Sequence, residues 1–96
     1  MQTLAGVHEP AIRLDDTSLR ENLSSAHEAE RASQQAFDQA ARQFDRLKTL
    51  SSSGAVSTQN LEDAEIRRNN AQSDLAAAKA RVVQARQQMD KTEVRA

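Results

Sequence analysis

The side chains with the clearest capacity for chemistry are His27 and Glu30, which lie three residues apart. On a helix this spacing places an imidazole and a carboxylate on one face, where they could form half of a metal site. The sequence contains no cysteine, and its other histidine, His8, is remote along the chain. No Gly-rich phosphate loop and no serine with a suitably spaced base are present. We therefore expect no metal, no cofactor and no enzymatic activity, and we interpret His27 as a surface residue.

A second set of residues surrounds the central sequence SSSGAV and has the chemistry of a docking patch. Arg46, Leu50 and Ser57 are separated by four and then seven residues. Arg46 and Leu50 would share a helix face, and Ser57 would open a following helix. Leu50 would stay half exposed as an apolar anchor, beside a guanidinium that binds carboxylates or carbonyls and a small hydroxyl. The residues alone favour a purely structural interpretation: a last seam residue, a solvated charge and a helix cap.

Two heptad repeats flank this segment and must position it. Apolar or small residues recur in steps of three and four, which predicts helices at about 18–51 and 58–90. The polar residue Arg68 interrupts the second repeat, and we expect it to reach the edge of the contact and weaken it. The predicted stripe consists of Leu19, Leu23, Ala26, Glu30, Ser33, Phe37, Ala40, Phe44, Leu47 and Ser51, followed by Leu61, Ala64, Arg68, Ala71, Leu75, Ala78, Val82, Ala85 and Met89.

The segment between the repeats has the composition of a tight turn. Gly54 suits a left-handed residue at a helix end, and Ser57 suits the cap of the next helix. A short connection between helices of similar length makes them antiparallel neighbours. Folding the chain at the tip, residues 51–57, brings the two stripes together with large residues mostly opposite small ones, as with Phe44 and Ala64. The sequence therefore predicts an all-α fold, a long antiparallel two-helix coiled-coil hairpin.

The two ends of the chain lack the heptad pattern. Residues 1–16 contain a glycine and the only proline, and residues 92–96 alternate charged with other residues. Residues 1–16 are predicted to be irregular or strand-like, and residues 92–96 are predicted to begin a strand. Ser18 and Glu21 have the spacing of a capping box at the start of the first helix.

The composition excludes some classes of function. The net charge of -1 provides no basic field for nucleic acid, so no nucleic-acid partner is expected. No run of about 18 apolar residues suitable for a membrane span occurs. With 28% charged and 2% aromatic residues, the chain suits long exposed helices.

The run RLKTLSSSGAVSTQNLEDAE, the Ala-rich heptads after it and the final TEVRA resemble the α-helical hairpin of periplasmic adaptor proteins. These proteins, also called membrane fusion proteins, serve tripartite efflux pumps and type I secretion systems of Gram-negative bacteria. Their hairpin interrupts a lipoyl-like β domain. The resemblance implies a hairpin over residues 17–91, with residues 1–16 and 92–96 as strand-like remnants of that domain. We expect the chain to be the hairpin part of a longer adaptor.

The resemblance also implies a function for the tip. The family carries Arg, Leu and Ser at this spacing, which maps onto Arg46, Leu50 and Ser57 and implies docking onto a TolC-type outer-membrane channel in the periplasm. An inner-membrane transporter would be contacted through other domains, and hairpins would associate side by side, typically as hexamers. The flanks expected to meet neighbouring hairpins carry Gln34, Gln35, Gln39, Gln84, Gln87 and Gln88. The alternative is a structural coiled-coil spacer or dimerisation module with no channel partner.

Overall fold

The computed structural model describes the backbone of residues 2–95 and the side chains of residues 16–91. Two helices, α1 Gln2–Ser52 and α2 Thr58–Arg95, account for almost all of this part of the chain. They contact each other and form a body 79 Å long and 17 Å wide. The arrangement is consistent with a helical hairpin.

The line of contact between the helices, here called the seam, follows the stripe predicted from the heptads. Every stripe position in both helices is buried or half-buried. The least exposed are Ala64 and Ala78, each 4% exposed, because alanine lets the two backbones approach closely. The prediction of the stripe is therefore confirmed.

The seam is thin. Phe44 is 8% exposed, and no side chain among residues 16–91 is completely buried. A Leu, Val or Phe side chain contributes about 1.5–3 kcal/mol only when it is fully removed from water. We therefore expect a hairpin of marginal stability. A cluster toward the open end of the hairpin consists of Leu23, Ala26, Val82 and Ala85.

The strand-like ends predicted from the sequence are wrong for the described backbone. Residues 2–16 continue α1 and residues 92–95 continue α2, and no strand occurs within residues 2–95. A strand without a neighbour leaves its backbone N–H and C=O groups unpaired, whereas a helix satisfies most of them within one segment. Gly6 and Pro10, which suggested a break, both lie inside α1.

The predicted capping box at Ser18 and Glu21 is wrong for the same reason. α1 begins at Gln2, so Ser18 is an internal helix residue and not a cap. Asp16 and Arg20, one turn apart, form an ion pair of 3.4 Å across this region. Such pairs add local support to a continuous helix.

Neither helix, within the residues described, has an apolar stretch long enough to cross a membrane.

Candidate functional site at the tip

A Schellman motif ends α1 and shapes the tip. Gly54 has a φ of 78°, the left-handed conformation expected from the sequence. The N–H of Ala55 donates to the carbonyl of Leu50 at 3.0 Å, and the N–H of Gly54 donates to the carbonyl of Ser51 at 3.0 Å. These are the two hydrogen bonds that define the motif. A Cβ added at Gly54 would meet nothing within 4 Å, so glycine is needed for the backbone angle and not for space.

The serine run supplies further donors to the end of α1. The Ser52 hydroxyl donates to the carbonyl of Thr49 at 2.6 Å, and the Ser53 hydroxyl donates to the carbonyl of Leu50 at 2.7 Å. The Ser53 N–H also donates to the Leu50 carbonyl, at 3.2 Å. The last carbonyls of a helix lack intrahelical partners. The SSSG sequence therefore supplies donors to these carbonyls at the turn.

Ser57 is the N-cap of α2, as predicted. Its Oγ accepts a hydrogen bond from the N–H of Asn60 at 3.2 Å. Its carbonyl accepts from the N–H of Leu61 at 3.2 Å, which begins the α2 ladder. The residue is exposed. Because the cap uses Oγ as an acceptor, the hydroxyl proton stays available for donation to another group.

Leu50 and Arg46 lie one turn apart near the end of α1, and both are exposed. Leu50 is 41% exposed, which confirms the expectation of a half-exposed apolar residue. The Arg46 Nη1 donates to Gln43 Oε1 at 3.4 Å. Within residues 16–91 no carboxylate pairs with the Arg46 guanidinium. The structure therefore places an apolar side chain, an arginine without a carboxylate partner and a capping hydroxyl at the end that carries the turn.

Phe44 and Arg68 form a contact near the tip that the sequence did not reveal. The Arg68 Cζ lies 4.4 Å from the centroid of the Phe44 ring. Arg68 was expected at the edge of the seam, where it would weaken the contact. It is instead half-buried against the ring. No local signal predicts this pair, because the two residues lie on different helices.

His27 and Glu30 do not form a metal site in this structure. The His27 Nδ1 lies 3.9 Å from Glu30 Oε2, and the two side chains are 44% and 31% exposed. Within residues 16–91 no three His, Asp or Glu side chains are grouped to hold a metal ion. The pair is a weak contact along one helix face.

The glutamines predicted to lie on the flanks are mainly at the surface. Gln35, Gln39, Gln84 and Gln87 are exposed. Gln34 is half-buried and donates from Nε2 to Asp38 Oδ1 at 3.0 Å. Their amides are thus positioned along the sides of both helices, away from the tip.

Comparison with known proteins finds no matching family model, no matching curated protein and no matching solved structure.

Proposed function

We propose that this chain is the helical hairpin of a periplasmic adaptor protein, and that its tip docks onto a TolC-type outer-membrane channel. The resemblance of the central run and the flanking heptads to that family supports the proposal. The observation that carries it is the exposure of Leu50 at the tip, next to the guanidinium of Arg46. A spacer has no need of an exposed aliphatic side chain beside an arginine without a carboxylate partner.

Each of the three residues has a distinct role in the proposed contact. Leu50 is the apolar anchor that a small pocket on the channel would cover. Arg46 donates charge-assisted hydrogen bonds to carboxylates or to free carbonyls at helix ends. Ser57 permits close approach and donates its hydroxyl proton while its Oγ still caps α2.

The hydrogen bonds within the tip favour this role. Docking costs free energy when loops and side chains must be ordered on binding. The Schellman motif at Gly54 and the cap at Ser57 fix the backbone between the helices before any partner arrives. The free energy needed to order the tip backbone is therefore part of folding and does not weaken binding.

The proposal includes a more specific architecture, an antiparallel coiled coil. Two contacts support it: Phe44 with Arg68 close to the turn, and Leu23 against Val82 and Ala85 far from it. In the assembled adaptor, hairpins would stand side by side in the periplasm, typically as hexamers. Regions outside these residues would contact an inner-membrane transporter. A weak contact per hairpin then gains strength from several copies acting together.

The test is cross-linking from the tip. A photo-reactive amino acid replaces Ser53, which is exposed, in the 96-residue chain. The chain is mixed with a purified TolC-type channel in detergent and irradiated, and the products are identified by mass spectrometry. We expect capture of the channel, and loss of capture in Leu50→Asp and Arg46→Asp. The matched control for Leu50→Asp is Ala32→Asp, which adds the same charge at an exposed position of α1 away from the tip.

The variants must be folded for the comparison to count. Leu50 is only partly covered, so Leu50→Asp should keep the helix content of the parent in circular dichroism. Capture that persists in both tip variants would contradict the proposed docking roles. Absence of capture by the parent chain would favour the structural spacer.

A further inference from the structure

α2 carries a second stripe on the side opposite the seam. Its members follow each other in steps of three and four, and all of them are exposed and uncharged. Ile66 is 56% exposed and Val83 is 52% exposed, and both are large apolar side chains. This surface, here called the outer stripe, consists of Ile66, Asn69, Ser73, Ala76, Ala80 and Val83. Apolar residues at heptad spacing are typical of a helix face that packs against another helix, and Ile66, Ala76, Ala80 and Val83 supply them here.

We infer that a second copy of this chain covers the outer stripe, with the two α2 helices antiparallel about a two-fold axis. The order of residues in the stripe is self-complementary in this arrangement. When Ile66 faces Val83 of the partner copy, Asn69 faces Ala80 and Ser73 faces Ala76. Each contact then occurs twice, as a two-fold interface requires.

Charges beside the outer stripe favour the same alignment. Glu65 lies one position before Ile66, and Arg86 lies three positions after Val83. Both side chains are exposed. The antiparallel alignment places Glu65 of each copy beside Arg86 of the other. A parallel, in-register alignment would instead place Glu65 and Arg86 at opposite ends of the contact, where they form no such pair. Pairs that flank a helical contact select its orientation in this way.

The exposed area of the chain is large for its mass. The chain exposes 7573 Å². A compact protein of its mass, 10.6 kDa, exposes about 5,500 Å². A stable interface covers about 800 Å² on each partner. The outer stripe extends for about 25 Å along α2, at 1.5 Å per residue. The elongated hairpin therefore exposes more surface than a compact protein of its mass, and the outer stripe is part of that surface.

This pairing uses none of the docking residues, and it differs from the side-by-side arrangement of docked hairpins proposed above, so we assign it to the chain that is free of the channel. An antiparallel pair places the two tips at opposite ends, where Leu50 and Arg46 of each copy stay exposed. The outer stripe contains none of the docking residues.

The first experiment measures mass in solution. Sedimentation equilibrium of the 96-residue chain over a range of concentrations should give twice the chain mass of 10.6 kDa at high concentration. Ile66→Asp and Val83→Asp should each weaken the dimer at least about 100-fold, because each change removes two apolar contacts from a two-fold interface. Ala32→Asp, on the exposed side of α1, should leave the dimer unchanged.

A charge exchange provides a test that does not depend on disrupting the stripe. Glu65→Arg alone and Arg86→Glu alone should each weaken the dimer, since each change places like charges together twice. The double variant should restore the parent affinity. A double variant no tighter than the single ones would overturn the proposed alignment.

Disulfide cross-linking tests the direction of the helices, because the chain has no cysteine of its own. A mixture of Ile66→Cys and Val83→Cys chains should form mixed disulfides, and Ile66→Cys alone should form none. A monomer at all concentrations, a dimer insensitive to Ile66→Asp, or disulfides between two Ile66→Cys chains would overturn the inference. Ile66→Asp carrying the photo-reactive residue at position 53 should still capture the channel, so the two proposals fail separately.

Discussion

The guanidinium of Arg68 stacks over the ring of Phe44, with its Cζ 4.4 Å from the ring centroid. The charged member of the α2 stripe therefore contacts the most buried aromatic residue of the α1 stripe. Its Nη2 also donates to Asn69 Oδ1 at 3.1 Å. A cation over an aromatic face is attracted by the electrons of the ring, in addition to packing against it. The interruption in the heptads is thus a contact between the helices, and we expect it to stabilise the hairpin.

The Phe44 and Arg68 contact predicts a measurable coupling. A double-mutant cycle with Phe44→Leu and Arg68→Gln should give a coupling free energy of about 0.5–2 kcal/mol in urea unfolding. Lys48→Gln is the control, because Lys48 Nζ lies 6.0 Å from the same centroid, at the limit of such contacts. Its coupling to Phe44 should be smaller. A zero coupling for Arg68 would show that the stacking contributes nothing.

The left-handed backbone conformation of Gly54 predicts that substitutions at this position destabilise the chain. Gly54→Ala should lower the free energy of unfolding by about 1–2 kcal/mol, because an L-residue is strained at a φ of 78°. Gly54→Asn should lower it less, since asparagine tolerates this conformation better than most residues. Thermal unfolding followed by circular dichroism measures both. Equal losses for alanine and asparagine would argue against the left-handed angle as the cause.

The N-cap at Ser57 predicts how substitutions at this position change the stability of the chain. Ser57→Ala should cost about 1 kcal/mol of stability, because the N–H of Asn60 loses its acceptor. Ser57→Asp keeps an acceptor and adds a negative charge at the positive end of α2, so it should be as stable as the parent. Chemical unfolding compares the three proteins. A loss in Ser57→Asp as large as in Ser57→Ala would contradict the capping role.

The burial of Ala78 predicts that a charge placed in the seam strongly lowers the free energy of unfolding. Ala78 is 4% exposed, so Ala78→Asp buries a carboxylate without a partner and should cost more than about 2 kcal/mol. In a hairpin with a thin seam this should unfold much of the chain at room temperature. Ala32→Asp makes the same change at an exposed position and should unfold close to the parent. Similar helix content in the two variants would contradict the seam as described.

The seam and the turn could be predicted because their signals are local and periodic. The spacing of Leu, Ala and Val at three and four residues places them on one side of a helix, whatever the rest of the chain does. Burial of every stripe position follows from this. The turn was predictable because only Gly54 tolerates the left-handed angle freely and Ser57 is a preferred cap.

The sequence by itself thus determined two helices, the residues that lie between them and the turn that joins them. The tertiary structure decided the rest. It made residues 2–16 and 92–95 helical, because an unpaired strand leaves backbone groups unsatisfied while a helix does not. It placed Arg68 over Phe44 and left Ile66 and Val83 uncovered. The contact between Arg68 and Phe44 depends on which residues of one helix lie opposite the other, and periodicity within a single helix carries no such information.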